Sequence, residues 1–384
     1  MPLLAPFRSG FFLLTSLTLT MSAAQHDFFV GTYTRTTSRG IYAVKLDATT
    51  GALSAPSLAA ETANPTFLAL HPGGKFLYAL DEAPAPAPGA PVGGVIRAYA
   101  LDPATALLTA LNREPTGGGS VTHLAVDATG RSLVTVSYSA GQVTSFPLLA
   151  DGRLGPRRSF IQHTGPLGPN RSRQDKPHAH SVTLSPDNRF AWVADLALDR
   201  VFSYRLDAAT ATLAPNDPTS VATPPGAGPR HTKFSADGRF FYVLNEIDGT
   251  VTVCAYDAAP GSARPIQHIS TLPAGFKVTD PDRAAEIRLH PDGRFLYASN
   301  RGHDSIAVFA INPTDGLLTN VEFAPCGGKA PRNFALSTDG TWLVCAHQDS
   351  DSLCSFAVDP DTGRLTRVAG SISVPMPVCV LFVN

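Results

Sequence analysis

The chain has 384 residues, of which 43% are hydrophobic and 16% are charged, so it is long enough to bury a large core. Its formal net charge of −1 at pH 7 provides no overall field that would attract nucleic acid or an anionic membrane surface. The 32 glycines and 33 prolines are typical of a protein built from many turns.

The first predicted element is a secretory leader. Arg8 precedes an apolar run over residues 10–21, and Ser22-Ala23-Ala24 supplies the small residues that a signal peptidase prefers. The sequence therefore predicts a signal peptide over residues 1–24, with cleavage after Ala24 and a periplasmic or secreted product. Thr and Ser residues interrupt the apolar run, so a cytoplasmic protein with a disordered leader stays the alternative. The run is too short and too polar to span a bilayer.

One pattern recurs through the rest of the chain: a short apolar strand, a tight turn and a second apolar strand. Its six copies read LALHPGGKFLYAL from Leu68, LAVDATGRSLVTV from Leu124, VTLSPDNRFAWVA from Val182, TKFSADGRFFYVL from Thr232, IRLHPDGRFLYAS from Ile287 and FALSTDGTWLVCA from Phe334. Such a period, near 50 residues with several short strands in each repeat, predicts an all-β propeller of four-stranded antiparallel blades.

A third strand recurs seven times, from IYAVKLD near the N-terminus to LCSFAVD near the C-terminus, which predicts seven blades. The N-terminal strand over residues 28–33 has no inner strand before it. The apolar run over residues 377–383 follows the last outer strand and can supply it, which would remove an exposed sheet edge. We therefore expect residues 25–384 to form one propeller domain whose ring is closed by the two chain ends, with a monomer favoured.

The chain also contains two insertions between strands and five cysteines. The segment over residues 83–94 is rich in Pro, Ala and Gly and predicts a surface loop, while the basic segment over residues 164–176 is either a solvated loop or a gate over an anionic ligand. The odd number of cysteines leaves at least one thiol free. Buried free thiols are the expected state, with Cys345 and Cys354, which flank one hairpin, as the pair that could form a disulfide.

In a propeller, the start of each inner strand and the end of each second strand lie at the same mouth of the central channel. The opposite mouth collects the Asp-Gly turns, which are ordinary hairpin chemistry. A functional site is therefore expected at the first mouth. The starts of inner strands place there His123, His178, His180, Arg230, His231, Glu286, Arg332 and Asn333. The ends of second strands place there Asp81, Glu82, Tyr138, Asp195, Asn245, Glu246, Asn300, Arg301, His347 and Gln348.

Three of these candidates, Arg230, Arg301 and Arg332, come from adjacent blades. Arginine binds carboxylate and phosphate groups in a bidentate manner, so the three indicate a ligand with more than one negative charge. The alternative is that each arginine pairs with a neighbouring acid and only holds the blades together.

The histidines leave several roles open. His178 and His180 lie on one side of an extended segment and, with His231, could hold a metal ion, act as general acid or base, or be structural. An H-x-H pair alone is a weak metal signal, and no metal or cofactor is predicted. For Glu246, burial would raise the pKa and a nearby arginine would lower it, and the sequence does not decide between them.

Several long strings resemble the lactonase family of seven-bladed propellers, which includes 6-phosphogluconolactonases and carboxy-cis,cis-muconate cyclases. They include FVGTYT at 29–34, KPHAHSVTLSPD at 176–187, GPRHTKFSADGRFFYVLNE at 228–246 and LHPDGRFLYASNRGHDSIAVF at 289–309, and the similarity spans about residues 28–383. The resemblance implies a cofactor-independent enzyme that opens or closes a lactone on an anionic sugar acid or muconate. It places the catalytic residues at His180 (or His178), Arg230, Glu246 and Arg301.

The expected function is hydrolysis of a small anionic lactone. Seven further mouth residues are expected to bind the substrate, namely His178, His231, Arg332, Asn333, Asp195, Asn300 and Glu82. Three alternatives stay open. The first is a non-catalytic exported propeller that binds an anionic ligand or a protein partner, the second is a muconate-type cycloisomerase, and the third is a metal-dependent gluconolactonase-like propeller.

Overall fold

The computed structural model describes residues 25–82, 93–279 and 283–383. The predicted leader over residues 1–24 and most of the predicted surface loop over residues 83–94 therefore lie outside the described residues. Seven antiparallel sheets follow one another around a central channel, and each inner strand contacts the inner strands of both neighbouring sheets. The seven-bladed architecture that the repeat predicts is confirmed.

We number the blades in chain order. Blade 1 consists of β29 (Pro377–Phe382), β1 (Gln25–Thr32), β2 (Gly40–Asp47) and β3 (Ser57–Glu61). Blade 2 contains β4 (Leu68–Leu70), β5 (Phe76–Asp81), β6 (Val95–Leu101) and β7 (Leu108–Pro115). Blade 3 contains β8 (Val121–Val126), β9 (Ser132–Ser137), β10 (Gln142–Pro147) and β11 (Ser159–Gln162). Blade 4 contains β12 (Ala179–Leu184), β13 (Phe190–Asp195), β14 (Arg200–Asp207) and β15 (Thr212–Ala222).

The remaining blades repeat this order. Blade 5 contains β16 (Pro229–Phe234), β17 (Phe240–Asn245), β18 (Thr250–Asp257) and β19 (Ser262–Ser270). Blade 6 contains β20 (Arg283–Leu289), β21 (Phe295–Arg301), β22 (Ser305–Ile311) and β23 (Leu318–Pro325). Blade 7 contains β24 (Pro331–Leu336), β25 (Trp342–His347), β26 (Ser352–Val358), and an outer edge split into β27 (Leu365–Arg367) and β28 (Ile372–Ser373). A single 3₁₀ turn, Gln348–Ser350, joins β25 to β26.

The two chain ends close the ring, as the sequence predicts. Strand β29 is the inner strand of blade 1 and pairs antiparallel with β1, so that Phe28 lies opposite Phe382 and Gly31 opposite Cys379. Joining the first and last parts of the chain in one sheet leaves neither inner edge exposed.

Neighbouring blades interlock through one repeated contact. In each case, the glycine of a turn between the third and fourth strands packs on the aromatic side chain that begins the second strand of the preceding blade: Phe76–Gly152, Phe190–Gly261, Phe240–Gly316, Phe295–Gly363 and Trp342–Gly51. At the closing contact, a Cβ on Gly51 would lie 2.2 Å from Trp342, and Gly51 also has a positive φ of 71°. Only glycine satisfies both conditions there.

The feature that positions the site is a β-bulge near the start of the inner strand in six blades. A bulge leaves a residue outside the ladder and turns its side chain away from the sheet plane. The residues left out of the pairing are Thr122, His180, Arg230, Ala285 with Glu286, Arg332 and Val378.

All five cysteines are buried with free thiols, and Cys345 lies directly opposite Cys354 across β25 and β26. Burial raises the pKa of Cys254, Cys326 and Cys379 to about 12. Among the described residues there is no helix of the length and apolar character needed to cross a membrane.

Candidate active site

A cavity of about 250 Å³ opens at the mouth where the inner strands begin. Its walls carry more cationic than anionic side chains, five arginines against two glutamates. The lining residues are Glu82, Thr122, Tyr138, Arg173, His180, Arg230, Glu246, Arg283, Arg301 and Arg332. A narrow cleft beneath it adds Thr66, Phe67, His231, Asn333 and Val378.

Two positions in the blade supply most of this lining. One is the bulged residue of the inner strand, which contributes Thr122, His180, Arg230 and Arg332. The other is the end of the second strand. It contributes Glu82, Tyr138 and Glu246, each directly after the strand, and Arg301, the final residue of β21.

Glu246 is the electrostatic centre of the cavity. Its Oε2 accepts a hydrogen bond from Arg230 Nε at 2.7 Å, and its Oε1 accepts one from Arg173 Nη2 at 2.7 Å and lies 3.3 Å from Arg301 Nη2. Burial alone would raise the pKa of Glu246, but the charges of Arg301, Arg230 and Arg173 hold that pKa well below its usual range. The carboxylate is therefore ionised at neutral pH, which decides the question that the sequence left open.

Arg230 is held rigidly, with only 2% of its surface exposed. Its Nε is bonded to Glu246, while its Nη1 donates to His231 Nε2 at 3.0 Å and to the carbonyl oxygen of Ala285. Its Nη2 makes no hydrogen bond with the described residues. Because Arg230 lines both the cavity and the cleft below it, this nitrogen is the donor left for a bound molecule.

Arg301 and Arg332 are less constrained. Arg301 donates to the carbonyl oxygens of Arg283 and Ala284 at 3.4 and 3.2 Å, in addition to its ion pair with Glu246. Arg332 donates to Tyr33 Oη at 3.3 Å and makes no ion pair with the described residues. Most of the donors of Arg332 are thus available to an anion.

His180 presents one nitrogen to the cavity. Its Nδ1 is enclosed and has no hydrogen-bond partner, whereas its Nε2 lies 3.6 Å from Glu246 Oε2. Burial, reinforced by the nearby charge of Arg230, lowers the pKa of His180 well below 6.5. The imidazole is therefore neutral at pH 7, and a water molecule that contacts both Nε2 and the carboxylate from the cavity would meet two proton acceptors.

The basic insertion over residues 164–176 reaches the site through Arg173. Its Nη2 donates to Glu246 and also to Tyr138 Oη at 3.2 Å. Tyr138 is in turn stacked on His178 at a centroid distance of 4.2 Å. The insertion, for which the sequence left a solvated loop or a gate over an anionic ligand, thus contributes one side chain to the cavity wall. No periodic signal identifies Arg173 in advance, because it comes from an irregular segment.

Three predicted substrate-binding residues do not line the cavity. Both ring nitrogens of His178 are engaged, Nδ1 with the Tyr138 carbonyl oxygen at 2.7 Å and Nε2 with Asp175 at 2.8 Å. Asp195 is fully buried and accepts hydrogen bonds from His163 and from backbone amides. Asn300 exchanges hydrogen bonds with Thr271. Their side chains hold Tyr138 and the turns of the blades in place.

The cavity floor is a layer of polar side chains that fills the channel. His231 Nδ1 lies 3.1 Å from Glu286 Oε1, and Asn333 donates to the other oxygen of the same carboxylate. Phe67 and His123 pack against each other at 4.0 Å and against His231 at 6.2 and 5.2 Å. Arg230 donates to His231 Nε2, so this ring keeps its proton on Nδ1, and burial lowers its pKa to about 4. The predicted residues His231 and Asn333 thus form the base of the site.

No group of three or more His, Cys, Asp or Glu side chains within residues 25–82, 93–279 and 283–383 is arranged to hold a metal ion. The residues that sequence reasoning missed are Thr122, Arg173 and Arg283. Arg283 begins β20 and reaches the rim of the cavity.

Comparison with known proteins agrees with this geometry. The family model described as lactonase, 7-bladed β-propeller, matches residues 27–382. The chain is 37% identical over 356 residues to the 6-phosphogluconolactonase of Bacillus subtilis, covering 93% of this chain and 98% of the relative. It is 31% identical over 312 residues to the 6-phosphogluconolactonase of Formosa agariphila, covering 80% and 85%. The solved structure of the periplasmic gluconolactonase of Pseudomonas aeruginosa superposes with a TM-score of 0.88 at 36% identity, covering 94% and 99%.

Proposed function

Because the chain belongs to the lactonase family of seven-bladed β-propellers, we propose that it hydrolyses the lactone of an anionic sugar acid, of the 6-phosphogluconolactone type. The observation that carries this proposal is the excess of arginine over carboxylate in the walls of the cavity. Charged groups confined together in this way repel one another unless an anion joins them, so the cavity favours a negatively charged substrate. The names of the relatives from B. subtilis and F. agariphila support the same substrate class.

The arginines of the cavity have two proposed roles, according to how many of their N–H donors are already hydrogen-bonded. Arg230 is fixed on three sides and offers one nitrogen, which suits it to meet the oxyanion that forms on the lactone carbonyl. Arg332, whose only partner among the described residues is Tyr33, and Arg301 have donors left for the phosphate or carboxylate at the other end of the substrate.

His180 is the general base in this proposal. Its Nε2, which faces the cavity, takes a proton from water, and the water oxygen forms a bond to the lactone carbonyl carbon. The tetrahedral oxyanion then collapses, the bond between that carbon and the ring oxygen breaks, and the imidazolium returns its proton to the leaving alkoxide. Glu246, 3.6 Å from Nε2, stabilises the imidazolium and keeps three arginines in place.

Turnover measurements test the proposal. Purified protein is assayed against 6-phosphogluconolactone, gluconolactone and muconolactone-type compounds, with the spontaneous rate subtracted. We expect hydrolysis of at least one anionic lactone and a loss of about 10²–10⁴-fold in kcat for His180→Asn. Saturable binding without turnover of any lactone would favour a non-catalytic binding propeller, and closure of a muconate would favour the cycloisomerase.

We also propose that the protein is exported and that residues 1–24 are removed. The apolar run with its Ala-rich end supports this, as does the periplasmic designation of the P. aeruginosa relative. N-terminal sequencing of the protein recovered after expression in its own host should begin at Gln25. A mature protein that starts at Met1 and stays with cytoplasmic markers would contradict export.

A further inference from the structure

A second chamber occupies the other half of the channel, below the polar floor. It has a volume of about 410 Å³ and opens toward the face that carries the Asp-Gly turns. We call it the lower chamber. Most blades contribute one residue to the floor, namely Phe67, His123, His231, Glu286 and Asn333. Two residues further along, at the equivalent position of each inner strand, most blades carry small or aliphatic side chains, namely Ala69, Ala125, Thr183, Ala335 and Leu381. The two adjacent blades 5 and 6 carry Lys233 and Arg288 at that same position, and both line the chamber.

The side-chain amine of Lys233 makes no hydrogen bond or ion pair with the residues that the structure describes. Its nearest charged neighbours are Arg288, which repels it, and Glu286 in the floor above. A partly buried ammonium group that lacks a partner is costly, so a protein gains by giving it an anion.

Arg288 is only partly satisfied. Its Nε donates to the Phe334 carbonyl oxygen at 3.2 Å and its Nη2 lies 3.3 Å from Glu286 Oε2. The same carboxylate already accepts hydrogen bonds from Asn333 and His231, so it cannot neutralise both cations. The Nη1 of Arg288 makes no hydrogen bond with the described residues, which leaves one free face of the guanidinium beside Lys233.

We propose that the lower chamber is a second binding site, distinct from the candidate active site, for a small carboxylate with a short apolar body. Lys233 and Arg288 would receive the carboxylate from adjacent blades. The apolar part would lie among the side chains between them and the solvent, which include Leu70, Val126, Leu184 and Phe382.

The apolar lining decides the class of anion. A fully hydrated phosphate dianion would have to give up water against aliphatic walls without gaining contacts there. A carboxylate with a few methylene groups or one aromatic ring pairs with the cations and also buries apolar surface. The floor layer of Phe67, His123, His231, Glu286 and Asn333 separates this site from the upper cavity. The proposal therefore does not rest on lactone hydrolysis.

Binding should also take up a proton. Burial, with the nearby charge of Arg288, lowers the pKa of Lys233 to about 7. Glu286, His123, His231 and Cys379 are the other titratable groups around the chamber, and none of the four is expected to change its ionisation between pH 7 and 8. A bound carboxylate favours the ammonium form and raises the pKa of Lys233, so binding at pH 8 consumes protons.

Isothermal titration of the whole protein with hexanoate tests the proposal, with hexanol and inorganic phosphate as comparison ligands. We expect saturable binding of hexanoate that weakens at least about tenfold in Lys233→Met and in Arg288→Met, because each loses a charge-assisted contact. Lys277→Met, the same change at an exposed lysine, should bind like the wild type. At pH 8 the wild type should show an enthalpy that depends on the ionisation enthalpy of the buffer, and Lys233→Arg should not.

A second pair of measurements keeps the test decisive if a charge variant folds poorly. Ala125→Leu fills the chamber without changing its charge and should also abolish binding. Crystals soaked in 4-bromobenzoate should show the anomalous bromine signal in the lower chamber. Equal binding by the wild type and Lys233→Met, equal binding of hexanol, a bromine signal confined to the upper cavity, or no saturable binding of hexanoate would each overturn the proposal.

Discussion

Replacing Glu246 by Gln tests whether one carboxylate holds the candidate active site together. The change keeps the size of the side chain but removes its charge, and it presents an amide N–H group where one of the arginines now donates. Arg230, which is 2% exposed, would then be buried without a counter-charge.

The magnitude follows from this burial. Removing one partner of a buried ion pair costs about 3–5 kcal/mol, and Glu246 accepts charge-assisted hydrogen bonds at 2.7 Å from both Arg230 and Arg173. We therefore expect the free energy of unfolding to fall by about that amount. We also expect kcat for lactone hydrolysis to fall by about 10²–10⁴-fold, as for loss of a group that assists proton transfer.

Urea unfolding with and without inorganic phosphate separates the charge effect from a packing effect. The variant leaves several arginines facing one cavity, so phosphate should stabilise it by about 2.7 kcal/mol at a hundredfold excess over the Kd of the variant. At the same phosphate concentration, the wild type should be stabilised less. Glu61→Gln is the matched control, because Glu61 pairs with Arg39 at 2.8 Å but is 68% exposed, and it should leave both stability and activity unchanged. A variant as stable as the wild type, or one that phosphate does not stabilise preferentially, would refute this reasoning.

Three further predictions concern the same framework. Burial and Arg230 lower the pKa of His180, so kcat/KM should stay constant as the pH falls through 6.5 and should decline only at lower pH, where the base becomes protonated. A decline in kcat/KM centred at or above pH 6.5 would contradict His180 as the base. Arg332→Leu should raise KM for 6-phosphogluconolactone by about 10–100-fold, because a charged hydrogen-bond donor to the phosphate is lost, and should raise KM for unphosphorylated gluconolactone much less. Equal increases in KM for both substrates would contradict a role of Arg332 in phosphate binding. Gly51→Ala should lower the free energy of unfolding by about 2–4 kcal/mol, because the new Cβ would clash with Trp342 at the ring closure. Gly74→Ala is the control, since Gly74 has nearly the same φ of 69° but open space around its Cβ, and equal losses in the two variants would show that the backbone conformation, not the contact with Trp342, is responsible.

The architecture could be predicted from the sequence because each blade corresponds to one copy of a sequence repeat. Each blade places an apolar strand, a turn and a second apolar strand in the same order, and seven third strands against six inner-strand turns required the chain ends to share a blade. The same geometry brought His180, Arg230, Glu246, Arg301 and Arg332 to one mouth before their contacts were known.

Two of the predicted residues that do not line the cavity, Asp195 and Asn300, differ from cavity-lining positions by one residue. With Asn245 they hold equivalent positions at the end of the second strand, opposite the start of the inner strand, and their side chains bond within or between the blades. The residues that follow two of them, Glu246 and Arg301, face the channel. Strand patterning cannot resolve a difference that depends on a bulge in the partner strand.

Two of the cavity-lining residues that were not predicted lie outside the repeated strand pattern. Arg173 lies in an irregular insertion, and Arg283 precedes the recognisable part of its inner strand. The lower chamber was also hidden, because the sequence assigns the turn-bearing face only ordinary hairpin chemistry. It becomes visible when equivalent positions of the seven inner strands are compared, and Lys233 and Arg288 stand among small or apolar residues.

The measurement that tests the central claim most directly is a crystal structure of the protein with 6-phosphogluconate, the product of the proposed reaction. We expect the phosphate to contact Arg332 and Arg301, and the carboxylate to lie against Arg230 Nη2 beside His180 Nε2. A product molecule bound elsewhere on the propeller, or bound with its carboxylate remote from His180 and Arg230, would contradict the assignment of this cavity as the place where the lactone is opened.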